Sequence, residues 1–330
     1  MVREMSNREL FENIAFFLFI FYLLPGLLAT FLFLFTRPLL HKFKFGQEVR
    51  KDGPQSHLTK QGTPTMGGIV FLISLAITMP LFLDSKTMFA LIIMIGFGAV
   101  GLIDDYLKIK GKNTKGLHPK LKLILQILLA FIFMVVSENV FMEDAYAIVP
   151  FAKQMINLAM FSIPIMVFII VGTDNAVNFT DGIDGLCSLV TIIVSIFFII
   201  VSVRLEKINV TILCLALIGV LSSFLIFNKH PASIFMGDVG SLFLGSFVGI
   251  IAYMLKIQFL IPIFGFVYFM EIISVIMQVT YFKLTKGKRI FKMAPIHHHF
   301  ELCGFSENKI VLMFSIITVI CCVISYFVIF

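Results

Sequence analysis

Ten long apolar runs limit what this chain can fold into. They cover residues 14–35, 66–83, 88–103, 121–137, 155–173, 186–203, 209–227, 239–255, 257–282 and 309–330. About 20 mostly apolar residues suffice for a helix to cross the hydrocarbon core of a bilayer. Strands are not expected: the runs are too long and lack the alternation of a membrane barrel. Composition agrees, with 59% hydrophobic and only 14% charged residues, where a soluble domain carries about 25% charged. The 39 Phe and 17 Met need lipid around them. A soluble enzyme, a secreted disulfide scaffold, a coiled coil and a disordered regulator are excluded. The five cysteines form no CxxC pair and read as small hydrophobes.

The expected fold is an all-α polytopic integral membrane protein of about ten transmembrane helices. The third run is short and is expected to extend past Asp104. The ninth carries Pro262 and Gly265, so a kink is expected there. The N-terminal stretch mixes Arg3, Glu4, Arg8 and Glu9 and lacks a small-residue cleavage site, so the first run is expected to be retained.

Ten spans place both ends on one side, and basic residues say which. Segments 36–65, 104–122 and 283–309 hold six Lys or Arg each, segment 228–238 adds Lys229, and 174–185 has none. The opposite face, with the N-terminus, has Arg3, Arg8, Lys86, Lys153, Arg204, Lys207 and Lys256. The richer face is expected to be cytoplasmic, with both termini outside. All seven histidines fall on that face, as do Asp104, Asp105, Asp174, Asp181, Asp184 and Asp238. The net charge of +7 suits anionic lipid or anionic substrates and does not by itself imply nucleic acid.

Five blocks on this face carry chemistry. Gly101–Tyr106 ends the third run with Asp104 and Asp105 adjacent. They read either as a solvated helix end or as an acid pair sharing a cation or proton. In Asn178–Leu186 the residues Asn178, Asp181 and Asp184 are spaced i, i+3, i+6. If helical, they share one face at the start of the sixth span; one Asp alone would suffice as a cap. Asp238 lies between Gly237 and Gly240, suited to a hard cation or to a simple helix cap. Near it are Asn228 and Phe235, the latter an interfacial aromatic or a platform for a base. Lys60, Thr63 and Thr65 precede the second run in a phosphate-friendly composition without P-loop spacing. His297, His298 and His299 are consecutive, so a regular helix cannot aim all three at one ion. They suit phosphate contacts or proton transfer. Acids with lysines point to a divalent ion, a phosphorylated substrate and phosphoryl transfer.

Together the blocks Arg50–Gly68, Gly101–Lys108, Asn175–Leu186, Phe235–Gly245 and Ala294–Glu301 closely resemble the phospho-N-acetylmuramoyl-pentapeptide-transferases of the MraY type. These are a branch of the polyprenyl-phosphate N-acetylhexosamine-1-phosphate transferases. The resemblance implies one transmembrane catalytic domain over residues 1–330, in a bacterial inner membrane with its active site on the cytoplasmic face. It implies that UMP is displaced from UDP-MurNAc-pentapeptide by undecaprenyl phosphate, giving lipid I, with Mg²⁺ required. It matches Asp104 and Asp105 to the acids that bind or deprotonate the lipid phosphate, and Asp238 to the Mg²⁺ ligand. Lys60, Thr65, Lys120, Asn178, Asp181 and Asp184 match the nucleotide-sugar cleft, Asn228 and Phe235 its uracil end, and His297, His298 and His299 the essential histidine block. The family pattern also implies a homodimer. Nucleic acid is not an expected partner. Past the histidines this chain departs from the family's usual Tyr-Glu-Leu-Lys-Gly-Trp, reading Phe300, Glu301, Leu302, Cys303, Gly304, Phe305.

A transporter is the rival reading. It would place ionisable groups near the midplane, often with internal repeats. The only clearly mid-span acid is Glu271, with Ser274 and Gln278 on the same helical face. It reads as a buried, hydrogen-bonded group, and no repeat is visible.

Overall fold

The computed structural model describes residues 16–17, 19–42, 60–111, 116–143, 145–152 and 154–330. Expectations resting on Arg3, Arg8, Lys44, Arg50, Lys51, His57, Lys112, Lys115 and Lys153 lie outside these residues, as does most of the block that begins at Arg50.

The apolar runs form helices: α1 (Leu24–Lys42), α2 (Gly68–Thr78), α3 (Ser85–Gly111), α4 (Pro119–Asn139), α5 (Ser162–Thr180), α6 (Leu186–Arg204), α7 (Ile208–Asn228), α8 (Gly237–Met254), α9 (Ile261–Phe264), α10 (Phe266–Leu284), α11 (Ile296–Leu302) and α12 (Glu307–Ile329). Among the described residues, nine helices are long and apolar enough to cross a membrane. The chain is a polytopic, essentially all-α membrane protein.

The second expected span is shorter than a bilayer. Its helix α2 has 11 residues, about 16 Å of rise. It ends just before Pro80, which cannot continue a helix. The chain completes the crossing through the turn at 79–84, because α2 begins beside Phe235 and Met236 while Lys86, at the start of α3, pairs with Glu143 at the other end. The third run does extend past Asp104, to Gly111. The ninth is bent as expected: Pro262 sits in the first turn of α9, and Gly265 separates α9 from α10.

The fifth run differs most from the sequence reading. Residues expected in a span form a strand, β2 (Gln154–Asn157), paired antiparallel with β1 (Tyr146–Val149). The Asn157 side chain accepts the Ala159 N–H at 2.8 Å, an Asx-type turn that competes with helix. Helix α5 therefore starts at Ser162 and carries Asp174 and Asn178 within it.

Helix α8 is the axis of the bundle. Of its apolar window 89% is buried within the protein, against 22% for α10. It packs on α2, α3 and α5. Small residues allow this, as in other membrane helix pairs. Gly237, Ser241, Gly245 and Gly249 recur every four residues, and a Cβ at position 245 would stand 2.5 Å from the Asp174 Cα. On α3, a Cβ at position 101 would stand 2.1 Å from the Asp238 carbonyl oxygen. These contacts draw the ends of α3, α5 and α8 together.

Candidate active site

The C-terminal end of α3 brings Asp104 and Asp105 to the N-terminus of α8. The Val239 N–H donates to Asp105 Oδ2 at 3.1 Å, and the Leu117 N–H donates to Asp104 Oδ1 at 2.6 Å. Free N–H groups of a helix N-terminus and carboxylates are natural partners. Gly237 makes the approach feasible. Its φ is +70°, and a Cβ there would stand 2.3 Å from Asp105 Oδ2 and 2.9 Å from Thr65 Oγ1. Thr65 is buried beside this turn.

Carboxylate oxygens of Asp104, Asp105 and Asp238 all lie within 4.8 Å of one another. Two lysines balance them. Lys108 Nζ is 2.8 Å from Asp238 Oδ2 and 2.5 Å from Asp104 Oδ2; Lys122 Nζ is 2.7 Å from Asp238 Oδ2. On the other oxygen, Asn178 Nδ2 donates to Asp238 Oδ1 at 3.1 Å and to Ser241 Oγ at 2.7 Å. Three hard oxygen donors converging at this range fit a divalent cation.

A second cluster lies in the loops that follow α5 and α7. Lys60 Nζ is 2.7 Å from both Asp184 Oδ1 and Glu307 Oε2. Glu307 Oε2 also accepts the Asp184 N–H at 3.0 Å. The other Asp184 oxygen meets His230 Nδ1 and the Ala232 N–H, each at 3.0 Å. Asp184, His230 and Glu307 could also geometrically hold a cation, but the Lys60 ammonium already bridges the two carboxylates.

Asp181 caps the C-terminus of α5 and feels both clusters. Burial, then the charges of Asp238, Asp105 and Asp184, push its carboxyl up to about 8. The helical face expected for Asn178, Asp181 and Asp184 does not form. Only Asn178 is helical, and α5 ends at Thr180, so Asp181 and Asp184 follow it in the turn between α5 and α6.

The remaining expected residues are placed as follows. Asn228 is buried and used twice: its Oδ1 accepts the Gly185 N–H and its Nδ2 donates to the Ile234 carbonyl, both at 3.0 Å. Phe235 is half-buried, anchored through its backbone N–H to the Pro64 carbonyl at 2.8 Å. Lys120 is exposed in the first turn of α4; the α4 lysine that reaches Asp238 is Lys122. The histidines diverge, as consecutive helical residues must. His297 is fully buried beside Glu271, His298 Nδ1 is 2.6 Å from Glu301 Oε2, and His299 Nδ1 accepts the Lys292 N–H at 3.2 Å.

Sequence reasoning missed Lys108, Lys122, His230 and Glu307. Lys108 had a signal: it stands four residues after Asp104 on a helix, the spacing that pairs side chains. Lys122, His230 and Glu307 had none.

Long apolar helices that gather acids and lysines at one end define a class of membrane-embedded transferases. Residues 87–256 match glycosyl transferase family 4. Residues 60–72 match the phospho-N-acetylmuramoyl-pentapeptide-transferase signature 1. Three curated relatives carry that enzyme's name. One from Clostridium novyi (strain NT) is 49% identical over 294 residues, 88% of this chain and 90% of its own. One from Clostridium botulinum (strain Alaska E43 / Type E3) is 50% identical over 292 residues, 88% and 89%. One from Clostridium kluyveri (strain NBRC 12016) is 48% identical over 292 residues, 88% and 92%. This chain belongs to the phospho-N-acetylmuramoyl-pentapeptide-transferase family.

Proposed function

We propose that the chain transfers phospho-MurNAc-pentapeptide from UDP-MurNAc-pentapeptide to undecaprenyl phosphate, forming lipid I and releasing UMP, in the first membrane step of peptidoglycan synthesis. The observation that carries this reading is the cluster of Asp104, Asp105 and Asp238 with Lys108 and Lys122, set at the end of lipid-length helices. A polyprenyl chain stays in lipid while its phosphate reaches the end of the bundle. The nucleotide arrives from water.

In the reaction an oxygen of the lipid phosphate bonds to the sugar-linked phosphorus. The bond from that phosphorus to the bridging oxygen breaks, and the electron pair leaves with UMP. Asp104, Asp105 and Asp238 would hold Mg²⁺, which when bound neutralises diphosphate charge. Lys108 and Lys122 hold the carboxylates in place and turn toward phosphate oxygens when substrate enters. Asn178 keeps Asp238 oriented through Oδ1. Lys60, Thr65, Lys120, Asp181, Asp184, Asn228 and Phe235 form the nucleotide-sugar cleft, with Phe235 toward uracil. His297, His298 and His299 close its far side. Positioning and charge neutralisation are the main contributions expected of a protein in phosphoryl transfer.

We further propose that residues 1–330 act as one catalytic unit, that this end of the bundle faces the cytoplasm with both termini outside, and that the protein works as a homodimer. The basic-residue asymmetry supports the orientation. The test is UMP release by detergent-purified protein given UDP-MurNAc-pentapeptide, undecaprenyl phosphate and Mg²⁺, against omission of each. Release that needs all three is expected. Equal release from UDP-N-acetylglucosamine would move the chain to another branch, and no release from a folded sample would overturn the reading.

A further inference from the structure

Glu271, like Asp174 on α5, is a fully buried acid within a spanning helix that the reaction above leaves unused. It lies on α10, whose neighbours include α5 and α11, and its side chain is 0% exposed. The sequence reading of a hydrogen-bonded group is not met, because neither carboxyl oxygen has a hydrogen-bond partner among the described residues. Its near neighbour is His297, also 0% exposed, with Nδ1 3.1 Å from Glu271 Oε2 but without hydrogen-bond alignment. A buried carboxyl is costly in this setting, and an apolar side chain would fill the space at less cost.

The other edge of the same imidazole faces the loop between α5 and α6. A Cβ at position 182 would stand 2.1 Å from His297 Nε2 and 2.4 Å from Cε1. Only glycine lets that loop close on the ring. Gly182 lies between Asp181, which feels the first cluster, and Asp184, which anchors the second. The ring is therefore wedged between a buried acid and the backbone that presents both aspartates.

We propose that Glu271 is a positioning residue: it holds the His297 imidazole through Nδ1, and the ring in turn seats the Gly182 backbone so that Asp181 and Asp184 stand in the nucleotide cleft. His297 then acts through the loop, whereas His298, paired with Glu301, has a side chain 12% exposed. This assignment rests on the reading of the Asp181–Asp184 loop as part of the nucleotide-sugar cleft. It predicts that losing Glu271 weakens use of the nucleotide sugar and leaves use of the lipid phosphate largely alone.

The experiment is a double-mutant cycle on the full chain with Glu271→Gln, His297→Gln and the pair, read by UMP release and by melting midpoint. Glu271→Gln keeps volume and replaces a carboxyl oxygen by an amide nitrogen. We expect kcat/KM to fall about 10–100-fold, the scale known for outer partners of functional histidines. KM for UDP-MurNAc-pentapeptide should rise more than KM for undecaprenyl phosphate. Each single variant should cost about as much as the pair, since both break one linkage. Gly182→Ala, which displaces the ring from its other edge, should show the same KM pattern. Gly172→Ala, with nothing within 4 Å of the added carbon, is the control. Losses that multiply in the double variant, equal changes in both KM values, or an unaffected Glu271→Gln would overturn the proposal. A wild type that releases no UMP would count against the functional reading alone. The midpoints would then decide the linkage: non-additive shifts sustain it, and additive ones overturn it.

Discussion

Asp104, Asp105 and Asp238 make one carboxylate cluster at the site end of the bundle, and Asp184 with Glu307 makes another. Both hold lysine ammonium groups within 3 Å. They differ in how firmly the cation is held. Lys60 is 13% exposed, and Asp184 is further bonded by His230 and the Ala232 N–H. In the first cluster Lys108 is 33% exposed, so its long stem can carry the charge out to a ligand, and Lys122, at 17%, meets Asp238 beside it. Similar residues thus serve two ends: an ammonium locked among carboxylates builds structure, and one reaching in from the surface can be exchanged for substrate or metal. A buried pair is costly to break, whereas a solvated one is not.

The largest expected effect lies in the exchangeable cluster. Asp238→Asn should lower Mg²⁺-dependent turnover on the order of 10³-fold, the scale at which losing one preorganised electrostatic group acts. Stability should change little, because Lys108 still pairs with Asp104 at 2.5 Å and Lys122 lies 3.9 Å from it. UMP release and a melting curve on the same sample check this. A folded variant with full activity would break the distinction between the clusters.

The locked cluster should respond in the opposite way. Lys60→Met strands two carboxylates whose side chains are 1% and 8% exposed. Removing one partner of a buried pair costs about 3–5 kcal/mol, which lowers the melting midpoint by roughly 10 °C in a protein of this size. Lys122→Met should cost far less stability, since Lys108 still contacts Asp238. Similar midpoints for the two variants would show that the shared hold of two lysines on Asp238 does not separate the clusters.

How much of this was legible in the sequence varies by region. Helices α6, α7 and α8 fall within two residues of their apolar runs at each end, because burial in lipid or protein leaves one reading of a long apolar run. The fifth run misled for a local reason. Met155, Met160 and Phe161 are 58%, 82% and 62% exposed, so apolar residues ahead of α5 coat its entrance rather than span. Motifs placed Asp104, Asp105 and Asp238 in one chemistry, and helix ends brought them together. The second cluster was not legible as a unit. Lys60, Asp184, His230 and Glu307 are drawn from four separate segments, and only tertiary packing makes them neighbours. Glu271 and His297 were both noticed, yet nothing in their spacing pairs them.

The smallest expected effect comes from a third charged cluster, at the opposite end of the bundle, and it tests whether the lesson about locked cations depends on depth. There Glu143 takes Lys86 at 2.5 Å and Lys256 at 3.1 Å, joining the start of α3 to the chain after α4 and after α8. Burial alone would raise the Glu143 carboxyl, but the two lysines outweigh it and hold it below its ordinary value of 4.5. A carboxyl depressed by folding stabilises the protein fully above that value, and its contribution is lost as pH falls through the lowered one. Lys86 is 33% exposed and Lys256 13%, but Glu143→Gln leaves a neutral side chain whose oxygen still accepts from the lysines, so the loss is small, about 1 kcal/mol or roughly 2 °C. Glu143→Gln should therefore lower the midpoint slightly at pH 7, by an amount that shrinks at pH 3. Turnover at pH 7 should not change, because this cluster lies across the bundle from the reacting groups. Melting curves at both pH values measure it. A drop as large as that of Lys60→Met would mean that ion pairs tying helix ends matter equally wherever they sit.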